Sequence, residues 1–587
     1  MRRFLATAAL GCAFALPAAA QKVQVEEFAL DNGMKFLLVP RKDQPNVIAA
    51  GWVAKVGSAN ERPGITGISH FFEHMMFKGT STIGTNDPAR DREFNAKQKA
   101  VRDRLMELQL GQQYTRWRLG EIDDPWSPQN DTEEMAKLRA ELKDLMDTQL
   151  KETTVKDEFD RVYTNFGGSG MNAFTTYDLT FYFINVPSNK FELWAWMESD
   201  RLKDSVFREF YSERDVVHEE RRLRTESTPT GPFEEQFDAM FWMASPYQWP
   251  VIGWTSDLNS YTRDQAQEYF DIYYRPNNLV GVIVGDFDPD YVKPMVEKYF
   301  SRLERGKIDP PPVVTLEMKQ LAEQRMDAEC DCQPQVEVRY HTVPFAHKDS
   351  YALEVMAEVL NGRTGRLYKS MVEGEKIASS AVATAGGFGA PAKYAGFFSF
   401  GAETKGDATP AQLEKAWYAA VEELQKNPVS DRELQKVKNR ILANSYRRLQ
   451  SNFFLLVQLG IFEAQGGWEY INESPSKLQA VSAADIQRVA KTYFDKTNRS
   501  VATYTRKAGT SADEDPALAG LSDKVKPMVK GALAQLKGET DSAKLEQGIA
   551  QMEAQMGAVP GEYKAAFEII LGAARERLAE LKASSGN

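Results

Sequence analysis

His70-Phe71-Phe72-Glu73-His74 sets two imidazoles four residues apart, with a carboxylate directly before the second. On a helix, positions i and i+4 lie one turn apart on one face, so His70 and His74 can grip a single metal ion. Glu73, three residues after His70, stays close enough to that face to act on a water held there. The chain has five histidines, and two of them fall inside this pentad. Upstream, residues 47–56 (VIAAGWVAKV) form a run of small and β-branched apolar side chains that reads as a buried strand. Gly57-Ser58 ends the strand, a polar loop passes through Gly64 and Gly67, and the metal-gripping helix is expected from residue 68 to Gly79.

Two histidines leave a zinc site short of a third protein ligand. Glu213 and Glu220 are candidates, because seven residues return to nearly the same helix face. Glu219 points elsewhere on that helix, and His218, two positions from Glu220, reads as a surface residue. One long helix from about residue 190 through Glu220 is expected to carry all four. Further strands are expected at residues 171–176, 179–186 and 278–285. Residues from about 91 to 156 are highly charged, and within them Val101, Leu105 and Leu108, then Met135, Leu138, Leu142 and Leu145, recur at helical spacing. Asp123-Asp124-Pro125-Trp126-Ser127-Pro128 breaks the two stretches, so an antiparallel helical hairpin is inserted in the first domain.

A length of 587 residues calls for several domains, and a 42% hydrophobic, 26% charged composition can build sizeable cores. Net charge is -11 with no basic run, which excludes nucleic acid as a partner. Arg2 and Arg3, an apolar stretch and Ala18-Ala19-Ala20 read as a Sec signal peptide over residues 1–20, and a bacterial-looking signal of this kind places the mature chain in the periplasm. Ala9 stands where a lipobox wants Leu, which argues against lipidation at Cys12. Cys330 and Cys332 then remain, able to form a tight disulfide or to stay reduced in a loop. A first domain over residues 21–305 is followed by a stiff linker at 306–312 with three prolines. A second α+β domain over 313–507 repeats the order of elements, and residues 508–587 form a helical tail.

Gly57-Ser58-Ala59-Asn60-Glu61 and the run from Gly67 to Thr80 closely resemble the M16 metallopeptidases, the family of pitrilysin, insulin-degrading enzyme and the mitochondrial processing peptidase. Their zinc motif has the inverted order His-x-x-Glu-His. The resemblance continues at Asn172-Ala173-Phe174-Thr175, from Glu213 to Glu220, from Ser245 to Gly253 and from Tyr274 to Asn278, and covers roughly residues 25–505. It implies an α+β fold of two homologous M16-type α/β-sandwich domains, the first bearing Zn2+ and the second an inactive repeat. It implies zinc ligands His70, His74 and Glu220, Glu73 as general base, and Glu213 holding a ligand histidine in its tautomer. Asn172 and Ala173 match the edge strand on which an extended peptide substrate lies.

Two departures from the family pattern carry expectations of their own. His74 and Glu220 are 146 positions apart, an excess filled by the hairpin, which is expected to gate the cleft or to contact a partner. The second half of such proteins usually supplies an Arg and a Tyr that bind substrate carbonyls. Here the matching positions carry Glu373 and Ser379, while Arg363, Arg366 and Tyr368 lack the spacing and read as helix-surface residues. The expected function is zinc endopeptidase action on peptides or small unfolded proteins. The chain would be the catalytic subunit of a heteromer whose second M16 subunit brings the Arg/Tyr pair, the alternative being a homodimer. The rival reading is a non-catalytic assembly or chaperone-like subunit.

Overall fold

Strands covered on both faces read as unbroken apolar runs. Strands β3 (Val47–Ala54) and β6 (Leu279–Gly285) are of this kind in the computed structural model, which describes residues 22–386, 392–507, 521, 525–539, 541–556 and 561–584. The expected signal peptide lies outside these residues. With β1 (Glu26–Ala29), β2 (Lys35–Pro40), β4 (Ser169–Thr175) and β5 (Thr180–Pro187), they build a sheet in the order β1-β2-β6-β3-β5-β4. Successive side chains alternate between two cores: Phe36, Trp52 and Ile283 enter one, Leu37, Val53 and Val282 the other. A second sheet holds β7 (Gln324–Cys330), β8 (Gln335–Thr342), β9 (Ala378–Ala385), β10 (Gly396–Thr404) and β11 (Arg499–Arg506), in the order β7-β11-β8-β10-β9. Matching β7 to β11 with β2 to β6 in sequence reproduces the same neighbours, and the parallel pair β2/β6 falls on the parallel pair β7/β11. The chain is therefore two copies of one α+β plan.

Helices of the first copy are α1 (Ile68–Met75), α2 (Pro88–Leu108), α3 (Tyr114–Arg118), α4 (Glu133–Glu152), α5 (Glu158–Asn165), α6 (Phe191–Lys203), α7 (Phe210–Arg221), α8 (Gly231–Phe241), α9 (Thr255–Ser260), α10 (Arg263–Tyr273) and α11 (Pro289–Phe300). The second copy contributes α12 (Ser350–Leu360), α13 (Pro410–Lys426), α14 (Asp431–Leu449), α15 (Asn452–Gln465), α16 (Tyr470–Ala480) and α17 (Ala483–Tyr493). Each copy lends one helix to the outer face of the other's sheet. Leu455, Leu456 and Leu459 of α15 cover the first sheet, and Phe237 of α8 covers Ala328, Ala502 and Tyr504 of the second. Burying such a leucine is worth about 1.5–3 kcal/mol, so this exchange welds the halves together. Residues 507–587 form a separate unit, whose described parts are the helices Lys526–Gly538, Ser542–Gln555 and Gly561–Ser584. Among the described residues no helix is long and apolar enough to cross a membrane.

The inserted hairpin is α2 against α4. Their opposed direction follows from the pairs Arg90–Glu152 at one end and Arg104–Glu134 at the other. Val101 and Leu142 join the main core, whereas Leu105, Leu108 and Met135 form a small core of their own further out.

Two expected helix boundaries need correction, and one open alternative is decided. The single helix over residues 190–220 is two helices, α6 and α7, and the chain turns between them with positive φ at Phe207 (46°) and Glu209 (58°). Between these residues Arg208 points inward and is fully buried. Its Nε donates to Asp91 Oδ2 (3.0 Å), Nη1 to the carbonyls of Lys78 (2.7 Å) and Ile83 (3.2 Å), and Nη2 to that of Thr80 (2.8 Å). α1 stops at Met75 rather than Gly79, where the ladder tightens to shorter-span bonds, from Phe77 N–H to the His74 carbonyl and from Lys78 N–H to the Met75 carbonyl (both 3.1 Å). The loop after it turns at Gly79 with φ +82°, where a Cβ would lie 2.3 Å from the Ile83 carbonyl oxygen. Finally, Cys330 and Cys332, left open between two states, are joined by a disulfide at the end of β7.

Asp91→Ala would strand a buried guanidinium without its carboxylate, a loss of about 3–5 kcal/mol. Faster tryptic cleavage within residues 88–152 and a lower melting temperature are expected. A digestion pattern identical to the wild type's would count against this anchor.

Candidate metal centre

The helix that carries the pentad is fixed at its start by a carboxylate that is distant from the usual capping position. Gly67, the residue before α1, has φ +86° and no side chain to offer. Glu61 caps the helix instead, accepting from the N–H groups of Gly67 (2.6 Å) and Ser69 (2.7 Å). Burial pushes its carboxyl up to about 8, although the helix N-terminus and these donors favour its charged form. Gly67 is required on a second count, since a Cβ there would lie 2.3 Å from the Ile252 carbonyl oxygen.

One turn of α1 then brings the two imidazole rings to a centroid separation of 4.8 Å. From α7, Glu220 Oε2 lies 3.6 Å from His70 Nε2 and 3.2 Å from His74 Nε2. Two imidazole nitrogens and one carboxylate oxygen thus lie within 4.8 Å of one another, the donor set of a catalytic zinc site with one position left for water. On the far side of His74, its Nδ1 pairs with Glu213 Oε1 at 2.9 Å. The two glutamates seven residues apart therefore bracket opposite nitrogens of one ring.

Charge at the site also suits a cation. Burial, with the neighbouring His74, holds His70 down at about 4, so its ring is neutral and its lone pair free. Burial opposes a charge on His74 too, but the carboxylates of Glu213 and Glu220 outweigh it and raise that ring to about 9. The carboxylates draw a proton to the place a metal ion would fill, so the residues fit the group. One feature of His70 differs: its Nδ1 is buried with no hydrogen-bond partner, whereas that of His74 is held.

Glu73 projects into the same cleft and accepts from Thr175 Oγ1 at 2.7 Å. Burial raises its carboxyl above the ordinary range. Sequence reasoning missed three neighbours. Thr175 lay inside a quoted motif without a role, Lys78 pairs with Glu213 Oε2 at 2.5 Å, and Arg224 pairs with Glu220 Oε1 at 2.5 Å. Lys78 follows α1 by three residues and gains Glu213 only because the two stretches are brought together, whereas Arg224 takes its partner from four residues back in its own stretch. Glu219 is exposed and paired with Arg222 at 2.7 Å. His218, expected on the surface, is half-buried with its Nε2 enclosed, because that side of α7 packs on α9.

Asn172 and Ala173 lie on β4, the free edge of the first sheet, and line a cavity of about 850 Å³ together with His70, Glu73, His74 and Glu220. The Ala173 N–H donates to the side-chain oxygen of Asn172 at 2.9 Å. Across the duplication, β4 corresponds to β9, the edge of the second sheet, where Ser379 is exposed. Glu373 is exposed in the short π-helical stretch Tyr368–Gly374 before β9, and Arg366 is half-buried against Glu433 at 2.8 Å, so these residues form no Arg/Tyr pair.

A family model described as Insulinase (Peptidase family M16) matches residues 38–98, and one described as Peptidase M16 inactive domain matches residues 260–441. The first match ends inside α2, where the hairpin leaves the common plan. The chain is similar to a protein named zinc protease PqqE from Helicobacter pylori, at 25% identity over 80% of this chain and 90% of that one. It is similar to an uncharacterized zinc protease, YmxG, from Bacillus subtilis at 22% identity, over 80% and 96% of the two chains. Among solved structures, a protease from Helicobacter pylori superposes with a TM-score of 0.66 at 23% identity, covering 82% of this chain and all of that one. The periplasmic protease PqqL from Escherichia coli does so with a TM-score of 0.60 at 16% identity, covering 86% of this chain and half of PqqL.

Glu213→Gln keeps the shape but removes the charge that orients His74. Zinc affinity, measured by competition with a chromogenic chelator, is expected to fall about 10–100-fold. An unchanged affinity would remove Glu213 from the site.

Proposed function

Because this chain belongs to the M16 peptidase family, we propose that it is a zinc-dependent endopeptidase cutting peptides or small unfolded proteins in the periplasm. The observation that carries this reading is the convergence of His70, His74 and Glu220 within 4.8 Å, beside Glu73 and a free strand edge. A zinc ion bound there would polarise the scissile carbonyl and acidify a water. Glu73 takes the proton of the attacking water on its carboxylate and delivers it to the leaving amine. Thr175 holds that carboxylate toward the cleft, and Glu213, itself held by Lys78, keeps the Nδ1 proton of His74 in place so that Nε2 faces inward. A substrate in extended form adds to β4 through backbone hydrogen bonds, which bind many sequences alike. On its arrival the Asn172 side chain gives up the Ala173 N–H to a substrate carbonyl.

The second sheet's edge offers no Arg/Tyr pair at Glu373 and Ser379, and this supports an assembly in which a second M16 subunit binds the substrate carbonyls. A homodimer using other donors is the alternative. The presence of all four residues, His70, Glu73, His74 and Glu220, speaks against a purely structural or chaperone-like subunit.

Glu73→Gln is expected to retain zinc while turnover of a quenched peptide falls at least about 100-fold. Wild-type chain that binds zinc yet cleaves nothing, even beside its partner, would favour the non-catalytic reading. Full activity of the purified chain alone would remove the need for a second kind of subunit.

A further inference from the structure

Three arginines follow Glu220 within four residues, and two of them have a structural task. Arg221 grips both carboxylate oxygens of Glu235 (2.6 and 2.7 Å) and donates to the Gly253 carbonyl (2.9 Å). Arg222 folds back onto the exposed Glu219 (2.7 Å). Arg224 has no such task. One helical turn beyond Glu220 it lies on the same face, and its side chain, 75% exposed, lines the cleft. Its one side-chain partner among the described residues is Glu220, met through Nη1 and Oε1 at 2.5 Å. The other oxygen of that carboxylate, Oε2, is the one that meets His70 and His74. A guanidinium presents a planar fork of N–H donors, so the edge formed by Nε and Nη2 is open to a further acceptor. The stretch that carries it, Arg222–Glu226, is a π-helical turn closed from Ser227 N–H to the Arg222 carbonyl (2.8 Å). Such turns recur at functional sites, and Arg221 ties this one to α8 and to the loop before α9, so Arg224 stands on a rigid base.

The other Lys and Arg side chains of the cleft are already engaged. Arg208 gives its guanidinium to Asp91 and three carbonyls, and Lys78 lies between Glu213 (2.5 Å) and Glu209 (3.8 Å). Where α5 and the turn before it line the cleft, the charge is negative: Asp157 and Asp160 are exposed and have no ion-pair partner among the described residues. An acidic group on a peptide laid along β4 is therefore repelled beside α5 and meets an open cation at Arg224. Glu220 does not cancel that attraction, because its charge is shared with the cluster of donors toward which Oε2 is turned.

Resting on the peptidase reading above, we propose that Arg224 is a specificity-determining residue whose open guanidinium edge binds a carboxylate of the substrate. That carboxylate is the side chain of an aspartate or glutamate near the scissile bond, or the C-terminus of the peptide itself. Two parallel N–H···O bonds from a guanidinium to a carboxylate are strong and fix direction as well as charge. The cleft thus selects by charge at one position, while backbone pairing along β4 stays indifferent to sequence.

Quenched peptides carrying Glu, Gln or Lys at each position around the cut bond, with a free or an amidated C-terminus, test this on the zinc-loaded mature chain. At one position Glu, or else the free terminus, is expected to raise kcat/KM at least about tenfold over its neutral counterpart, the worth of a hydrogen bond to a charged group. Which of the two is favoured names the source of the carboxylate, and either supports the assignment. Arg224→Gln is expected to remove the ratio and Arg224→Lys to keep part of it. Arg224→Glu is expected to turn the preference toward Lys at the same position. Fluorescence anisotropy of the same peptides on the Glu73→Gln chain, with and without Arg224→Gln, reads the charge order apart from turnover. Absent turnover counts against the peptidase reading, while the anisotropy order still decides Arg224. Equal rates and affinities for Glu, Gln and both termini overturn the proposal, as does a preference that Arg224→Gln leaves intact. So does a uniform loss for every peptide in Arg224→Gln, which would make this arginine a prop for Glu220 and nothing more.

Discussion

The guanidinium of Arg208 is the point on which the half that carries the His70–His74 pentad is built. It is fully buried, and its hydrogen bonds reach the loop after α1, the hairpin helix α2 and, through the backbone, the start of α7. A buried charge must be paired and fully hydrogen-bonded, so each of these parts is held to one position. Lys78, on the loop so fixed, reaches Glu213, and Glu213 reaches His74. Asp91 in turn accepts from Gln149 of α4 at 2.8 Å, which brings the second hairpin helix into the same network. The hairpin is thus rooted in the network that supports the His70, His74 and Glu220 cluster although it contributes no residue to that cluster.

Duplication explains both what the second half retains and what it has lost. It keeps the strand order, the parallel pair and the helix lent across to the other sheet. Its counterpart to α1 is α12, SYALEVMAEVL, which has no histidine and turns Leu353, Met356 and Leu360 into the core. Where the first copy gathers charge in a cleft around two imidazoles, the second has a largely apolar groove that Glu354 and Arg448 share.

Legibility followed the range of the interactions. The strands at residues 47–54 and 279–285 were readable because burial on both faces leaves an unbroken apolar run. The hairpin was readable because each helix repeats its apolar residues locally. The break between α6 and α7 was not: residues 203–210 carry no Pro or Gly, and the turn is made by a buried arginine whose partners lie more than 100 positions away. His218 was misplaced because helical spacing says which side of α7 it occupies but not that α9 covers that side.

The sequence by itself determined the pentad, the two glutamates seven residues apart and the doubled α+β plan, since each rests on local spacing or on an ordered set of motifs. Only the tertiary structure decided that Glu213 and Glu220 take opposite nitrogens of His74, that Thr175 holds Glu73, and that Glu61 caps the motif helix from a preceding loop. Those pairings join residues up to 146 positions apart. Periodicity fixes the face a side chain occupies; what that face meets is set by how sheets and helices close over it.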